Sequence, residues 1–219
     1  MEKHPASCDN KLTNRIDDIS GVILAGGRGS RLSGNDKGLI EVAGEPMIKL
    51  IIERFLPQVS NVVINANRNI ATYERYGFPV IEDSHADFAG PLAGMSAALN
   101  TCSTSHLAIV PCDTPFLPSD VVSRLATALV DTKSQIAIAR GGDRPQPAFT
   151  LLSVNLAQSL CNFLRDGGRK ISTWYKTQNY VEVDFGPDAT PFANVNTPQD
   201  LINAAAILNA NREIKATPL

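Results

Sequence analysis

The stretch GVILAGGRGSRLSGNDKGL, residues 21–39, decides the fold expected for this chain. With Ile19 in front of it, the stretch begins as a short apolar run, which predicts a buried strand of a parallel sheet over residues 19–25. A glycine-rich turn follows, and glycine lets the backbone take positive φ so that successive N–H groups can face an anion. Arg31 and Lys37 add two cations that can meet phosphate oxygens. The stretch therefore predicts a phosphate-binding loop.

Two common phosphate loops do not fit this stretch. A Walker loop needs Gly-Lys-Ser/Thr, but Asn35 and Asp36 follow Gly34. A dinucleotide loop needs a third glycine where this chain has Leu32. What remains is Leu-Ala-Gly-Gly, then Arg31 and Asp-Lys-Gly, which is similar to the loop of nucleotidyltransferases that activate a phosphate with a nucleoside triphosphate. The alternative is a glycine-rich turn with incidental charges.

The composition is that of an ordinary globular protein, with 219 residues, 43% hydrophobic and 19% charged. The net charge of -2 gives no electrostatic reason to expect nucleic acid or a membrane surface as a partner. Residues 1–18 are polar and lack a secretory pattern, so we expect a flexible tail before a single domain over residues 19–212. The four scattered cysteines indicate reduced thiols in the cytoplasm. Cys112 is interpreted as a small buried residue rather than a nucleophile.

Apolar runs alternate with helical periodicity, which predicts an α/β fold: one doubly wound, mostly parallel, Rossmann-like sheet with helices on both faces. Further strands are predicted over residues 61–65, 78–81, 107–110 and 135–139. Helices are predicted over residues 47–57, 70–76, 90–99 and 119–130. Residues 141–147 are expected to form a loop and 148–152 an antiparallel strand, with a helix at 154–164 and a half-exposed strand at 180–185. The capping pattern Thr197–Asp200 predicts the start of a last helix that ends near Leu208.

Polar or glycine positions follow four of the predicted strands: Gly26, Asn65, Asp83 and Asp113. Ligands of open α/β sheets bind outside the carboxyl ends of the strands, so we expect these positions to share one crevice. Asp113 could hold Mg²⁺ together with substrate phosphates, or cap its own turn. Asp83 could accept the neighbouring N1–H and N2–H₂ donors of guanine, or be a polar strand end. Asn65 taken alone is typical of a loop.

Taken together, these blocks resemble the molybdenum cofactor guanylyltransferase family, which joins GMP to molybdopterin. The resemblance runs from about Ile19 to the last helix. Its specific parts are LAGG at 24–27, R-L-x-G-x-D-K-G-L at 31–39, NANR at 65–68, IEDS at 81–84, GPLAGM at 90–95, PCDTP at 111–115 and NVNTP at 194–198.

The resemblance implies which residues meet each substrate. The residues implied to bind GTP are Leu24, Ala25, Gly26, Gly27, Lys37, Asn65, Asp83 and Asp113, and Asp113 is also implied to bind Mg²⁺. Arg169, Asn194 and Asn196 are implied to lie toward molybdopterin. From the residues alone, turn hydrogen bonding by the asparagines and a solvated helix start at Arg169 stay open.

The expected reaction is attack by the terminal phosphate of molybdopterin on the α-phosphorus of GTP, with pyrophosphate leaving. Arg31, Lys37 and Asp113 with Mg²⁺ are expected to act as the catalytic groups by neutralising charge. Two alternatives stay open: a related transferase that uses CTP or a sugar phosphate, and a GTP-binding protein that delivers cofactor without chemistry. The expected partners are GTP, molybdopterin and cofactor-assembly or molybdoenzyme-chaperone proteins.

Overall fold

The computed structural model describes residues 18–26, 36–83 and 90–216, with side chains as far as residue 212. Its strands, in chain order, are β1 (Ile19–Leu24), β2 (Glu41–Val42), β3 (Glu45–Pro46), β4 (Asn61–Asn65), β5 (Val80–Ile81), β6 (His106–Pro111), β7 (Ile136–Gly141), β8 (Arg144–Ser153) and β9 (Tyr180–Asp184). Its helices are α1 (Met47–Phe55), α2 (Ile70–Glu74), α3 (Pro91–Thr101), α4 (Val121–Thr132), α5 (Ala157–Arg165), α6 (Ile171–Tyr175) and α7 (Pro198–Ala216).

In the described part of the chain, seven strands form the central sheet in the order β5-β4-β1-β6-β8-β7-β9. Strands β5, β4, β1 and β6 run parallel, whereas β8 is antiparallel to both of its neighbours, β6 and β7. The predicted doubly wound, mostly parallel sheet with an antiparallel strand in its C-terminal half is thereby confirmed. The chain leaves β1 on one side for β4 and returns on the other side as β6. A topological switch point, where open α/β sheets bind ligands, therefore lies between β1 and β6.

Helices cover both faces of the sheet because the strand residues alternate in direction. In β1, Val22 packs in the cluster formed with α3, α5 and α6, whereas Ile23 packs in the cluster formed with α1 and α4. The α1 residues that face the sheet, Ile48, Ile51, Ile52 and Phe55, follow the helical spacing that predicted this helix. The central parallel strands β1 and β6 are consequently buried along most of their length.

A third, smaller cluster attaches α7 to the rest of the molecule. Val42 of β2 and Met47 of α1 pack against Val195 and the α7 residues Ala204 and Leu208. The predicted cap is present too: the Asp200 N–H donates to Thr197 Oγ1 at 3.2 Å, and the Thr197 N–H donates to Asp200 Oδ2 at 2.9 Å. The segment before α7 is thus fixed near the start of α1.

The predicted end of α7 near Leu208 is wrong, because the helix continues to Ala216. Its last two turns contain Ala, Asn, Arg, Glu, Ile and Lys, and no glycine or proline that would stop a helix. The prediction placed the end at Leu208, which packs in the cluster with Val42 and Met47. A helix can continue past that residue wherever nothing in the sequence ends it.

The loop predicted over residues 141–147 is also wrong, because β8 begins at Arg144 and pairs with β7 through a tight turn at Gly142 (φ +59°). Prolines 145 and 147 had indicated a loop. The β6 partner of β8 reaches only as far as Thr150, so this half of β8 is an edge on that side. An edge is the setting in which a strand tolerates proline.

Other predicted elements agree with the structure within a few residues, although β5 has only residues 80–81 of the strand predicted from residue 78. The tail predicted over residues 1–18 lies, apart from residue 18, outside the described residues. Within the described part of the chain, no helix combines the length and the apolar character that crossing a membrane requires.

The β2–β3 hairpin gives a stability prediction. Its two turn residues, Ala43 (φ +52°) and Gly44 (φ +79°), both have positive φ, which matches a type I′ turn that prefers Asn-Gly. Because a Cβ is disfavoured in left-handed backbone, Ala43→Asn is expected to raise the free energy of unfolding by about 0.5–1 kcal/mol, as measured in urea. The matched control is Ala128→Asn within α4, which is expected to lower stability by a few tenths of a kcal/mol. A loss of stability in Ala43→Asn would contradict the turn assignment.

Candidate active site

Four loops begin at one edge of the sheet. The strand registers put Leu24 beside both Asn65 and Pro111, and Asn65 beside Ile81. Backbone hydrogen bonds continue this pairing past the strand ends. The Ala25 N–H donates to Asn65 O at 2.8 Å, and the first residues after β4 and β6 donate to their neighbouring strands in the same way. The expected crevice at the carboxyl ends of β5, β4, β1 and β6 is therefore present.

Lys37 joins three distant segments at this edge. It opens a short 3₁₀ turn (Lys37–Leu39), and its Nζ lies 3.0 Å from Asp113 Oδ2 and also donates to Asn196 Oδ1. The Val195 N–H donates to Asp113 O at 2.8 Å, which aligns the segment before α7 with the loop after β6. The ion pair is mostly screened from solvent, with the Asp113 side chain 11% exposed. We call Lys37, Asp113 and Asn196 the lysine junction.

The position of Lys37 depends on its neighbour, Asp36, which is 6% exposed. Tyr73 Oη donates to Asp36 Oδ1 at 2.6 Å, and Asn69 Nδ2 lies 3.4 Å from Oδ2. Burial raises the pKa of Tyr73, so its hydroxyl keeps the proton that it donates. A Cβ on Gly38 would lie 2.6 Å from the Tyr73 hydroxyl, so glycine lets the turn lie against this ring. The sequence patterns predicted no role for Asp36 or Tyr73.

Asp83 is held by two asparagine side chains. Asn65 Nδ2 donates to Asp83 Oδ1 at 2.9 Å, and Asn67 Nδ2 donates to Asp83 Oδ2 at 2.8 Å. Asn65 itself is 2% exposed, and a Cβ on Gly94 of α3 would overlap its amide oxygen. We call Asp83, Asn65 and Asn67 the carboxylate clamp. Asn67 was not predicted as a site residue, although it lies in the NANR block two residues after Asn65.

Cys112 lies between β6 and Asp113 and is 5% exposed. Burial, followed by the charge of neighbouring Asp113, raises the pKa of its thiol well above the usual range. A thiol that stays protonated is a poor nucleophile. The interpretation of Cys112 as a buried packing residue is confirmed.

The remaining predicted residues are distributed over the molecule. Gly27 and Arg31 lie outside the described residues, whereas Leu24, Ala25 and Gly26 form the edge between the junction and the clamp. Arg169 lies at the carboxyl end of α5, where its Nη1 donates to Leu164 O at 2.9 Å and to Gly168 O at 2.7 Å.

Asn194 is exposed in the segment before α7. Asn196, expected toward molybdopterin, belongs to the lysine junction, and its N–H donates to Asp200 Oδ2 at 3.0 Å. Its predicted position toward molybdopterin stays a prediction. The hydrogen bond from the Asn196 N–H and those from Thr197 hold the pKa of Asp200 below its usual value. The two asparagines thus have different surroundings, although one residue separates them.

The donor set at the lysine junction fits a magnesium ion that also binds phosphate. Among the described residues, no three histidine, cysteine, aspartate or glutamate side chains group closely enough to hold a metal alone. Lys37 Nζ donates to Asp113 Oδ2 at 3.0 Å. One carboxylate oxygen with substrate phosphates is a common donor set for Mg²⁺. The metal role of Asp113 stays a prediction.

Comparison with known proteins agrees with this geometry. The family model described as the MobA-like NTP transferase domain matches residues 21–181. The molybdenum cofactor guanylyltransferase of Cupriavidus metallidurans is 50% identical over 190 residues, covering 84% of this chain and 93% of its own. That of Shewanella piezotolerans is 46% identical over 181 residues, covering 83% and 89%.

Solved structures have the same fold. Molybdopterin-guanine dinucleotide biosynthesis protein A from Archaeoglobus fulgidus superposes with a TM-score of 0.74 at 25% identity, over 87% of this chain and 99% of its own. A CMP:2-keto-3-deoxy-manno-octonic acid synthetase complexed with CTP gives a TM-score of 0.71 at 14% identity, over 89% and 99%, which shows a shared fold alone.

The crevice, the lysine junction and these matches define the chain as a nucleotidyltransferase with a MobA-like domain. Within that class, the chain belongs to the molybdenum cofactor guanylyltransferase family. The resemblance noted in the sequence is thereby confirmed.

The Asp36 anchor can be tested with two buried tyrosines. Tyr73→Phe leaves the buried Asp36 carboxylate without its shortest donor, and we expect a loss of about 1–3 kcal/mol in the free energy of unfolding. The matched control is Tyr175→Phe: this equally buried hydroxyl bonds to the neutral Pro147 O and Thr150 Oγ1, both at 2.9 Å. Its loss is expected to be smaller, about 0.5–1.5 kcal/mol. Urea unfolding of both variants measures the difference, and an equal or reversed order would contradict the anchor.

Proposed function

We propose that this protein transfers GMP from GTP to the terminal phosphate of molybdopterin, releasing pyrophosphate. The observation that carries the proposal is the arrangement of the lysine junction and the carboxylate clamp along one sheet edge. The first offers a cation and a carboxylate for phosphates and metal, and the second offers a carboxylate for a base. The relatives named molybdenum cofactor guanylyltransferase support the same base and the same acceptor.

The distance between the two groups of residues suits a nucleotide. Asp83 follows β5 and Asp113 follows β6, and these strands are separated by β4 and β1. At roughly 4.8 Å per strand spacing, the two loops begin about 14 Å apart. This span is comparable with the length of an extended nucleoside triphosphate. We therefore assign the base to the clamp and the phosphates to the junction.

Base choice depends on Asp83 in this proposal. The Watson–Crick edge of guanine presents N1–H and N2–H₂ side by side, which a carboxylate can accept with its two oxygens. Cytosine has no such neighbouring pair of donors. Because the fold is shared with a protein complexed with CTP, the fold alone does not select the base. The clamp is what favours GTP over CTP.

The chemistry assigned to this chain is positioning and charge neutralisation. An oxygen of the acceptor phosphate attacks the α-phosphorus, and the bond from that phosphorus to the oxygen bridging to the β-phosphate breaks. The acceptor is already ionised at neutral pH, so no strong general base is needed. Lys37 would stabilise the negative charge that develops toward pyrophosphate, and Arg31 is predicted to add a second cation. The protonated thiol of Cys112 favours direct transfer over a covalent cysteine intermediate.

Asp113, with the amide oxygen of Asn196 nearby, would hold magnesium. The ion would supply positive charge to the α-phosphate and to the leaving pyrophosphate. Asn196 orients Lys37 toward the same phosphates by accepting its hydrogen bond.

The proposal also includes the acceptor side and protein partners. Arg169, Asn194 and Asn196 remain the predicted molybdopterin residues, and docking of cofactor-assembly or chaperone proteins is likewise a prediction. A cytoplasmic location is proposed because molybdopterin is the expected acceptor.

The test is pyrophosphate release with Mg²⁺ and molybdopterin, comparing GTP, CTP, ATP and UTP in parallel. We expect pyrophosphate release with GTP and at least about tenfold less release with CTP. A tenfold difference is what one charge-assisted hydrogen bond from the base to Asp83 would contribute. Reactions without molybdopterin and reactions with excess chelator serve as controls, and neither should release pyrophosphate. A preference for CTP would overturn the role of Asp83. GTP binding without release in the presence of active acceptor would instead favour a cofactor-delivery protein.

A further inference from the structure

Asn67 makes two hydrogen bonds to one residue. Its Nδ2 donates to Asp83 Oδ2 at 2.8 Å, and its Oδ1 accepts from the Asp83 backbone N–H at 2.8 Å. The first hydrogen bond sets the direction of the Asp83 carboxylate. The second fixes the main chain of Asp83. Asn65, by comparison, donates from Nδ2 to the Asp83 carboxylate but does not bond the Asp83 main chain. The same Nδ2 also donates to Ile81 O.

The two asparagines divide the carboxylate between them, because Asn65 bonds Oδ1 and Asn67 bonds Oδ2. A carboxylate has about four acceptor positions on its two oxygens. With one donor on each oxygen, both oxygens keep acceptor capacity for a ligand, and rotation of the group is blocked. A carboxylate fixed in this way offers two acceptors side by side.

Asn67 also lies against the loop that follows β1. A Cβ placed on Gly26 would come within 2.9 Å of Asn67 Nδ2, so the glycine of the loop lets the backbone approach this amide. Asn67 is exposed, whereas Asn65 is buried. Its side chain is therefore retained at the crevice by its bonds to Asp83 rather than by core packing.

We propose that Asn67 is a specificity-positioning residue, which holds Asp83 in the orientation that recognises the 2-amino group of guanine. This inference rests on the proposed function, in which Asp83 meets the base. Without Asn67, Oδ2 of Asp83 loses its hydrogen-bond donor, and the Asp83 carboxylate can rotate. One of the two acceptors then no longer faces the base, and the advantage of guanine over a base without the 2-amino group is lost.

The probe for this inference is inosine triphosphate, whose base is guanine without the 2-amino group. The ratio of kcat/KM for GTP to that for ITP is measured by pyrophosphate release, and the ratio of dissociation constants by calorimetry without acceptor. For the unmodified protein we expect a GTP preference of at least about tenfold, the discrimination of one charge-assisted hydrogen bond. For Asn67→Ala we expect the preference to fall to about threefold or less, mainly through loss of GTP affinity.

Two further variants keep the test informative if Asn67→Ala folds poorly. Asn67→Asp preserves size and the acceptor for the Asp83 N–H but replaces the donor with a like charge, and should abolish the preference at least as fully. Asn61→Ala, an exposed asparagine at the opposite end of β4, is the matched control and should keep the original ratio.

Asp83→Ala separates this inference from the proposed function. If Asp83→Ala abolishes the GTP preference while Asn67→Ala weakens GTP and ITP equally, Asn67 has only a structural role and the inference is overturned. If Asp83→Ala also retains the preference, the base contact itself is wrong, and the inference fails with it. Loss of the preference in both variants, with Asn61→Ala unchanged, supports the inference.

Discussion

The ammonium group of Lys37, shared between Asp113 and Asn196, is the contact on which the site depends. It connects the loop after β1, the loop after β6 and the segment before α7, which are far apart in the chain. Each connection depends on a second contact. The Asp36–Tyr73 hydrogen bond fixes the main chain next to Lys37, and the packing of Val195 against α7 fixes the segment that carries Asn196. Electrostatic catalysis requires charges that are in position before the substrate arrives, and we propose that this arrangement provides them.

The carboxylate clamp is built on a different principle. The junction brings together distant segments, whereas the clamp uses the ends of two neighbouring strands, β4 and β5, whose pairing already aligns Asn65 with Ile81. The backbone thus sets the position of Asp83, and two amides set its direction. Another protein with the same fold is complexed with CTP, so the sheet alone does not select the base. We propose that selectivity comes from side chains such as these.

Sequence patterns predicted the features that are repeated along the chain. Alternating apolar runs located the parallel strands, and strand ends located Gly26, Asn65, Asp83 and Asp113, because the position of a strand end follows from local sequence. The pairing of Asp36 with Tyr73, and of Asn67 with Asp83, depends on three-dimensional neighbours and left no periodic signal. Prolines 145 and 147 indicated a loop because a single sequence does not show that one side of β8 lacks a partner. The end of α7 was misplaced because no glycine or proline stops the helix between Leu208 and Ala216.

The most direct test of the lysine junction as one catalytic unit is a double-mutant cycle with Lys37→Met and Asp113→Asn, measured as kcat/KM for pyrophosphate release from GTP in the presence of molybdopterin. Each single change is expected to reduce the rate by about a hundredfold or more. If both residues act on the same phosphates, the double variant should be within about threefold of the slower single variant, because groups that act as a unit are strongly non-additive. Losses that multiply would show that Lys37 and Asp113 act independently, and would contradict the junction as the transfer centre.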